Sequence, residues 1–217
     1  MKKIVGIFAH PDDEAIGPAG TLAKLTREHE VTLICVTSGE ASGKTHEEKL
    51  EVGETRRAEL RKSARILGIK EVIFLGYEDG ELKNNSYHDL ARDIREKLEE
   101  IRPDTLMTFE WRGISGHIDH IAVSLVTTYV FHQLDFTQKL MYFCICREES
   151  ELMHDYFIFF PPGYEKEDVH EVVDVSDVWS VKEKAMKAHI SQINDVEKAL
   201  INSATLPKEE YFLIVEK

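Results

Sequence analysis

Short apolar runs alternate along the chain with longer amphipathic stretches. Ile4-Val5-Gly6-Ile7-Phe8 and Val31-Thr32-Leu33-Ile34-Cys35-Val36-Thr37 are nearly continuous in apolar residues, the pattern of strands covered on both faces. Between them, from Gly20 to about His29, the apolar positions take helical spacing. The alternation then recurs. Val52, Leu60, Ala64 and Leu67 form one stripe of a helix expected over about 51–67, which stops at Gly68, and Val72-Ile73-Phe74-Leu75 reads as the next strand. Tyr87, Leu90, Ile94, Leu98 and Ile101 keep three-four spacing up to Pro103, which ends that helix before the strand Thr105-Leu106-Met107-Thr108-Phe109. An apolar helix is expected from about His120 to Leu134. Beyond it, 140–146, 156–160 and 171–175 read as strands, 181–193 as a helix and 211–215 as a last edge strand.

This order predicts an α/β fold, a Rossmann-like open, mostly parallel sheet with helices on both faces. A length of 217 residues suits one well-buried domain spanning 1–217 and is short for two. No apolar run approaches the ~20 residues of a membrane span, and His10-Pro11-Asp12 interrupts the brief signal-like start at Lys2-Lys3, so a cytoplasmic protein with no membrane partner is expected. Forty acidic against 27 basic residues give a net charge of -13, which disfavours a nucleic-acid partner. Cys35, Cys144 and Cys146 are odd in number and lie in apolar β-rich stretches, pointing to reduced, buried thiols, and Cys144-x-Cys146 lacks C-x-x-C ligand spacing. The G-x-G-x-x-G of a dinucleotide site is missing after the first strand.

In its place stands Ala9-His10-Pro11-Asp12-Asp13-Glu14, an imidazole and three carboxylates where an open α/β sheet puts its ligands. One alternative is a polar strand-end loop in which Asp12 or Asp13 caps the helix that begins near Gly20. A second polar segment, His117-Ile118-Asp119-His120, follows the strand ending near Phe109 and so reaches the same mouth of the sheet; taken alone it also reads as a helix amino-terminus with Asp119 near the dipole. His10, Asp13 and His120 make a two-histidine, one-carboxylate set that leaves a coordination position open, as catalytic rather than structural zinc sites do, with Asp12 beside it as a proton acceptor.

Six segments carry a more specific likeness: Ala9 to Glu14, Thr37-Ser38-Gly39-Glu40-Ala41, Arg56-Arg57-Ala58-Glu59-Leu60, Leu75-Gly76-Tyr77-Glu78-Asp79, His117 to His120, and Lys187-Ala188-His189-Ile190-Ser191-Gln192. In this order the chain resembles, over nearly its whole length, the PIG-L/LmbE family of zinc-dependent N-acetylglucosaminyl deacetylases. The resemblance implies that His10, Asp13 and His120 bind zinc, that Asp12 is the general base, and that His117, oriented by Asp119, stabilises or protonates the reacting group. It puts Arg56 and Asp79 at substrate-pocket positions. It implies a small acetamido-sugar substrate, release of acetate and a free amine, and a homo-oligomer. Iron(II) or another divalent ion suits the same ligands. An amidase acting on a larger sugar-thiol conjugate, and a non-catalytic sugar- or metal-binding protein on the same scaffold, are the alternatives. The chain departs from the family pattern at Ala19-Gly20, often Gly-Gly, and at Ile118, often Pro, which bears on pocket shape and removes no ligand.

Further expectations attach to single residues. A protonated His117, favoured by Asp119, would stabilise a developing oxyanion by about 3 to 4 kcal/mol. Glu14 is expected to order its loop or support a ligand. Arg56 belongs either to a solvated helix face or to the substrate site, and His189 and Gln192 either line the pocket or satisfy buried polar groups.

Overall fold

The computed structural model describes residues 1–153 and 159–217. Seven strands, β1 (Lys3–Phe8), β2 (Glu30–Thr37), β3 (Glu71–Tyr77), β4 (Thr105–Phe109), β5 (Lys139–Cys144), β6 (Glu171–Asp174) and β7 (Glu209–Glu216), form one sheet in the order β3-β2-β1-β4-β5-β7-β6. The first five are parallel, and β7 runs antiparallel to both β5 and β6. The helices are α1 (Asp13–Ile16), α2 (Ala19–Leu25), α3 (His46–Leu67), α4 (Tyr87–Ile101), α5 (Gly113–Gly116), α6 (Ile118–Gln133), α7 (Arg147–Glu151), α8 (Trp179–Met186) and α9 (Ile193–Ser203). α2, α3 and α8 pack together while α4 pairs with α6, so both faces of the sheet are covered as the alternation predicts. Burial on both sides explains why β1, β2 and β4 carry no charged side chain beyond their first residue. Ile7, Leu33, Ile34 and Leu106 from the sheet meet Leu22, Leu60, Leu90, Ile94, Leu98 and Phe131 from the helices, all fully buried. Each contributes about 1.5–3 kcal/mol by leaving water.

Several boundaries differ from the sequence reading, each for a local reason. α3 begins at His46, ahead of the expected start near 51, because Thr45 and Glu48 form a reciprocal capping box. It ends at Gly68 in the left-handed conformation. The helix expected over 181–193 is broken: α8 stops at Met186, a 3-10 turn spans Ile190–Gln192, and α9 carries the chain on to Ser203. β7 is an interior strand, and β6 beside it is the edge. Of the strand expected over 156–160, residues 156–158 lie outside the described residues, while Phe159 and Phe160 belong to no strand.

The three cysteines are free and buried. Among the described residues no helix is long and apolar enough to cross a membrane. At the start of α2, Gly20 is dictated by close approach, since a Cβ there would stand 2.5 Å from the Val175 Cβ. Its N–H and that of Thr21 donate to the buried Glu210 carboxylate at 2.8 and 2.7 Å, tying β7 to the helix behind the first loop. The fold positions its chemistry through strand order. The chain turns from the β3-β2-β1 half of the sheet to the β4-β5 half between β1 and β4, and the loops after those two strands open into one crevice.

Candidate active site

The loop after β1 carries His10 to Asp13, and the turn after β4 leads through α5 to His117 and His120. Both are pinned. The Ala9 carbonyl accepts hydrogen bonds from the Thr37 N–H and hydroxyl, each at 2.9 Å. The buried Glu110 carboxylate accepts from the N–H groups of Arg112 and Ile114 and from the Tyr164 hydroxyl at 3.0–3.1 Å. Two residues here hold a backbone that L side chains rarely adopt, Asp12 at φ 131 and Ile114 at φ 65. Such strain persists only where surrounding contacts over-determine it, and both residues line the same cavity of about 600 Å³. His10, Asp13, Arg56, Asp79, His117 and His120 line it too.

Three donor groups converge in that cavity. His10 Nδ1 lies 3.1 Å from His120 Nε2, and the Asp13 carboxylate lies 3.5 Å from the first and 3.3 Å from the second. Ligand atoms at 2.0–2.2 Å from a tetrahedral zinc stand about 3.3–3.6 Å apart, so the two imidazole nitrogens and the Asp13 carboxylate, whose Oδ2 faces His10 and whose Oδ1 faces His120, are close to the spacing such a site needs. His120 Nδ1 is 3.1 Å from the Gly113 carbonyl and donates to it, which turns Nε2 toward Asp13. His117 also brings a ring nitrogen within 4.8 Å of those of His10 and His120, but its Nδ1 accepts the Asp119 N–H at 3.1 Å. The donor set fits a divalent cation.

The far side of His10 is built for the same purpose. Its Nε2 faces Asp79 Oδ1 at 3.0 Å and Asp119 Oδ2 at 3.4 Å, so the ring presents N–H to these carboxylates and turns Nδ1 toward Asp13 and His120. Against the opposing effect of burial, hydrogen bonds to Asp119, Asp13 and Asp79 hold the His10 pKa well above the usual imidazole range. Asp79, also resisting burial, is held down to about 2 chiefly by His10. Asp119 accepts the N–H groups of Gly80 and Leu82 at 2.8 and 3.3 Å, fastening the loop after β3 to the site. Sequence reasoning had these two carboxylates at the substrate and at His117, and the contact with His10 was outside its reach because it joins three loops.

Asp12 follows a different logic. Burial pushes its carboxyl up to about 6, while the Arg56 guanidinium beside it pulls the other way. Arg56 is buried, correcting the solvated-face alternative. Its Nη1 donates to the Gly39 carbonyl at 2.7 Å, and Nη2 donates to the Pro11 carbonyl at 2.7 Å and Asp12 Oδ2 at 3.1 Å. Asp12 precedes α1 with no side-chain capping bond, and α2, the helix near Gly20, has Pro18 at its amino-terminal cap, so the helix-cap alternative fails as well.

His117 departs from expectation in its charge. Burial, aided by the nearby His10 and His120, lowers its pKa below 6.5. Because Nδ1 accepts a main-chain N–H, the ring is neutral and carries its proton on Nε2. The orienting contact from Asp119 runs through its main-chain N–H. Glu14 and His189 form a fully buried pair, Nε2 to Oε1 2.8 Å, behind the Asp12 loop.

Comparison with known proteins follows the same lines. Residues 5–131 match the family PIG-L, GlcNAc-PI de-N-acetylase. A probable N-acetyl-alpha-D-glucosaminyl L-malate deacetylase 2 of Bacillus anthracis is 27% identical over 199 residues, covering 88% of this chain and 81% of the relative. The diacetylchitobiose deacetylase of Thermococcus kodakarensis is 31% identical over 204 residues, covering 88% and 70%. Among solved structures, the N,N'-diacetylchitobiose deacetylase of Pyrococcus horikoshii, complexed with its inhibitor MPG, superposes with a TM-score of 0.75 at 24% identity, covering 99% of this chain and 84% of that one.

Proposed function

The chain belongs to the PIG-L family, and from that premise we propose that it is a divalent-metal hydrolase that removes the N-acetyl group from an N-acetylglucosamine-type substrate. The products are acetate and a free amine. The observation that carries the reading is the convergence of His10 Nδ1, His120 Nε2 and the Asp13 carboxylate within 3.1–3.5 Å of one another, beside a fourth carboxyl group held ready for proton transfer. These three residues are assigned as the ligands, and zinc as the ion, because a d10 ion accepts this N,N,O set at these spacings.

When bound, the cation supplies a lowered pKa for water and polarisation of the amide carbonyl. The chain supplies the rest. Asp12, with its carboxyl at about 6, takes the proton of the attacking water near neutral pH and returns it to the departing nitrogen. Arg56 keeps that carboxylate ionised and aimed. His117 offers Nε2–H to the oxygen on which negative charge develops, a neutral donor fixed in direction by the Asp119 N–H. Asp79 and Asp119 hold the His10 ring, and Asp79 also lines the cavity where substrate hydroxyls lie.

The test is an acetate-release screen of wild type and Asp12→Asn over N-acetylglucosamine, its β-linked oligomers, inositol and malate glycosides and sugar-thiol conjugates, with metal content measured in the same samples. The expected result is turnover of at least one acetamido sugar by wild type, and about 10²–10⁴-fold less by Asp12→Asn at equal metal content. Metal-loaded wild type that hydrolyses none of them, or an Asp12→Asn protein of undiminished kcat, overturns the assignment.

A further inference from the structure

The Pro11–Asp12 peptide is gripped at both ends. Its carbonyl accepts from Arg56 Nη2 at 2.7 Å, and its N–H donates to Glu14 Oε2 at 3.1 Å. The Asp12 carbonyl in turn accepts the N–H groups of Ala15 and Ile16 at 2.9 Å. A residue at φ 131 pinned on both flanking peptides is over-determined, which is the condition for keeping a strained backbone. Glu14 itself is anchored from two other elements. Its Oε1 accepts from the Ser63 hydroxyl of α3 at 2.5 Å and from His189 Nε2 at 2.8 Å. Ser63 and His189 are 0% exposed, and His189 Nδ1 has no partner among the described residues, so the ring is placed there for one bond. His189 lies between α8 and the 3-10 turn at Ile190–Gln192, where the helix is interrupted.

We propose that Glu14, anchored by His189 and Ser63, is a positioning group that sets the peptide plane of Asp12 and thereby aims the Asp12 carboxylate into the cavity. The inference rests on the reading of Asp12 as the proton-transferring base. A buried Glu–His pair that merely stabilised the core would contribute to folding and leave kcat alone. A positioning clamp loses kcat when the Asp12 N–H is released, and keeps it when an acceptor remains. The two roles therefore separate between conservative and truncating variants.

The experiment compares Glu14→Ala, Glu14→Gln, His189→Leu, His189→Gln and Asp12→Asn for kcat, KM, zinc stoichiometry and exchange of the Asp12 amide proton by NMR in the metal-free protein. Glu14→Gln keeps one side-chain oxygen for the Asp12 N–H, and His189→Gln keeps an N–H donor where Nε2 was. Both are expected within a few-fold of wild type, with a protected Asp12 amide. Glu14→Ala and His189→Leu are expected to lose about 10–100-fold in kcat, with KM and zinc content within about twofold and the Asp12 amide exchanging faster. If Glu14→Ala or His189→Leu keeps wild-type kcat while Asp12→Asn is dead, the clamp is wrong and the base stands. If Asp12→Asn is active, the base reading itself fails. Should the truncated variants not fold, loss of kcat in Glu14→Gln with an unchanged Asp12 amide overturns the proposal, and retained kcat with a protected amide upholds it.

Discussion

Loading the metal-free protein with a divalent cation is expected to release about one proton per ion at pH 7. His10 Nε2 faces Asp79 and Asp119, and its Nδ1 faces His120 Nε2 and the Asp13 carboxylate. Its pKa lies well above 6.5, so the ring is an imidazolium at pH 7 and the Nδ1 proton must leave before that nitrogen can bind an ion. Asp12, at about 6, is already mostly ionised and adds little. The stability sign follows. A histidine pKa raised by folding contributes stability that is present in full below the unfolded value near 6.5 and lost as pH rises through the folded value. Each unit of that shift is about 1.4 kcal/mol, or about 3–5 °C in Tm for a chain of this length. The metal-free Tm should therefore fall as pH rises above 6.5. The loaded protein has no imidazolium to lose, and cation at a hundred times Kd adds about 2.7 kcal/mol, or about 5–11 °C. The gap between the two should widen with pH as protons stop competing. Calorimetric titration of zinc into chelator-treated protein, in two buffers of different ionisation enthalpy, counts the proton, and melting curves at pH 6, 7 and 8 read the gap. Tight one-to-one binding with no buffer-dependent heat and a pH-independent gap would refute this account of His10.

Two further outcomes concern buried ion pairs. Arg56→Met strands the Pro11 and Gly39 carbonyls and leaves Asp12 without its cation, so unfolding in urea should show a loss of about 3–5 kcal/mol. It should also move the acidic limb of kcat/KM upward, because losing a neighbouring cation raises a carboxyl pKa; Arg56→Lys, which cannot span the three acceptors, should not rescue. A variant within 1 kcal/mol of wild type with an unmoved limb contradicts this. Lys182 donates to the Gly17 carbonyl at 2.5 Å and to Glu210 Oε1 at 2.7 Å, both side chains being buried, so Lys182→Met should likewise cost about 3–5 kcal/mol. The double variant with Glu210→Gln should recover more than 1 kcal/mol of it, whereas simple additivity would show that the pair is not coupled.

What could be read in advance follows a physical division. Periodicity and local stop signals placed β1, β4 and α4 to the residue or nearly so, because burial on one stripe or both faces imposes a repeat that a linear pattern carries. The capping box at Thr45 was equally local, yet the turn-rich composition of 38–45 masked it. Boundaries set by tertiary contacts were illegible. His189 was expected to line the pocket or satisfy buried polar groups, but nothing in 181–193 names its partner, a glutamate 175 residues away, so the helix looked continuous. The site divides in the same way. His10, Asp12, Asp13 and His120 stand out as ligand and acid-base types at strand ends, whereas the destination of the Asp79 and Asp119 carboxylates depends on how the loop after β3 folds over β1. The neutral state of His117 depends on a main-chain N–H two residues on, visible only once α6 is seen to start there.

The electrostatics of the cluster explain why these loops meet. Five largely buried carboxylates, Asp12, Asp13, Glu14, Asp79 and Asp119, face Arg56 at Asp12 and two imidazoles, His189 at Glu14 and His10 between Asp13, Asp79 and Asp119. Burying unpaired carboxylates is costly, so a site with this excess recruits positive charge. A divalent ion held by His10, Asp13 and His120 would add that charge beside the carboxylates. Asp12, which burial pushes up to about 6, lines the same cavity, and Arg56 and Glu14 hold the peptide on its amino-terminal side. On the proposed assignment, the backbone strain at Asp12 would aim its carboxylate away from the ion position while that of its neighbour Asp13 would be aimed at it.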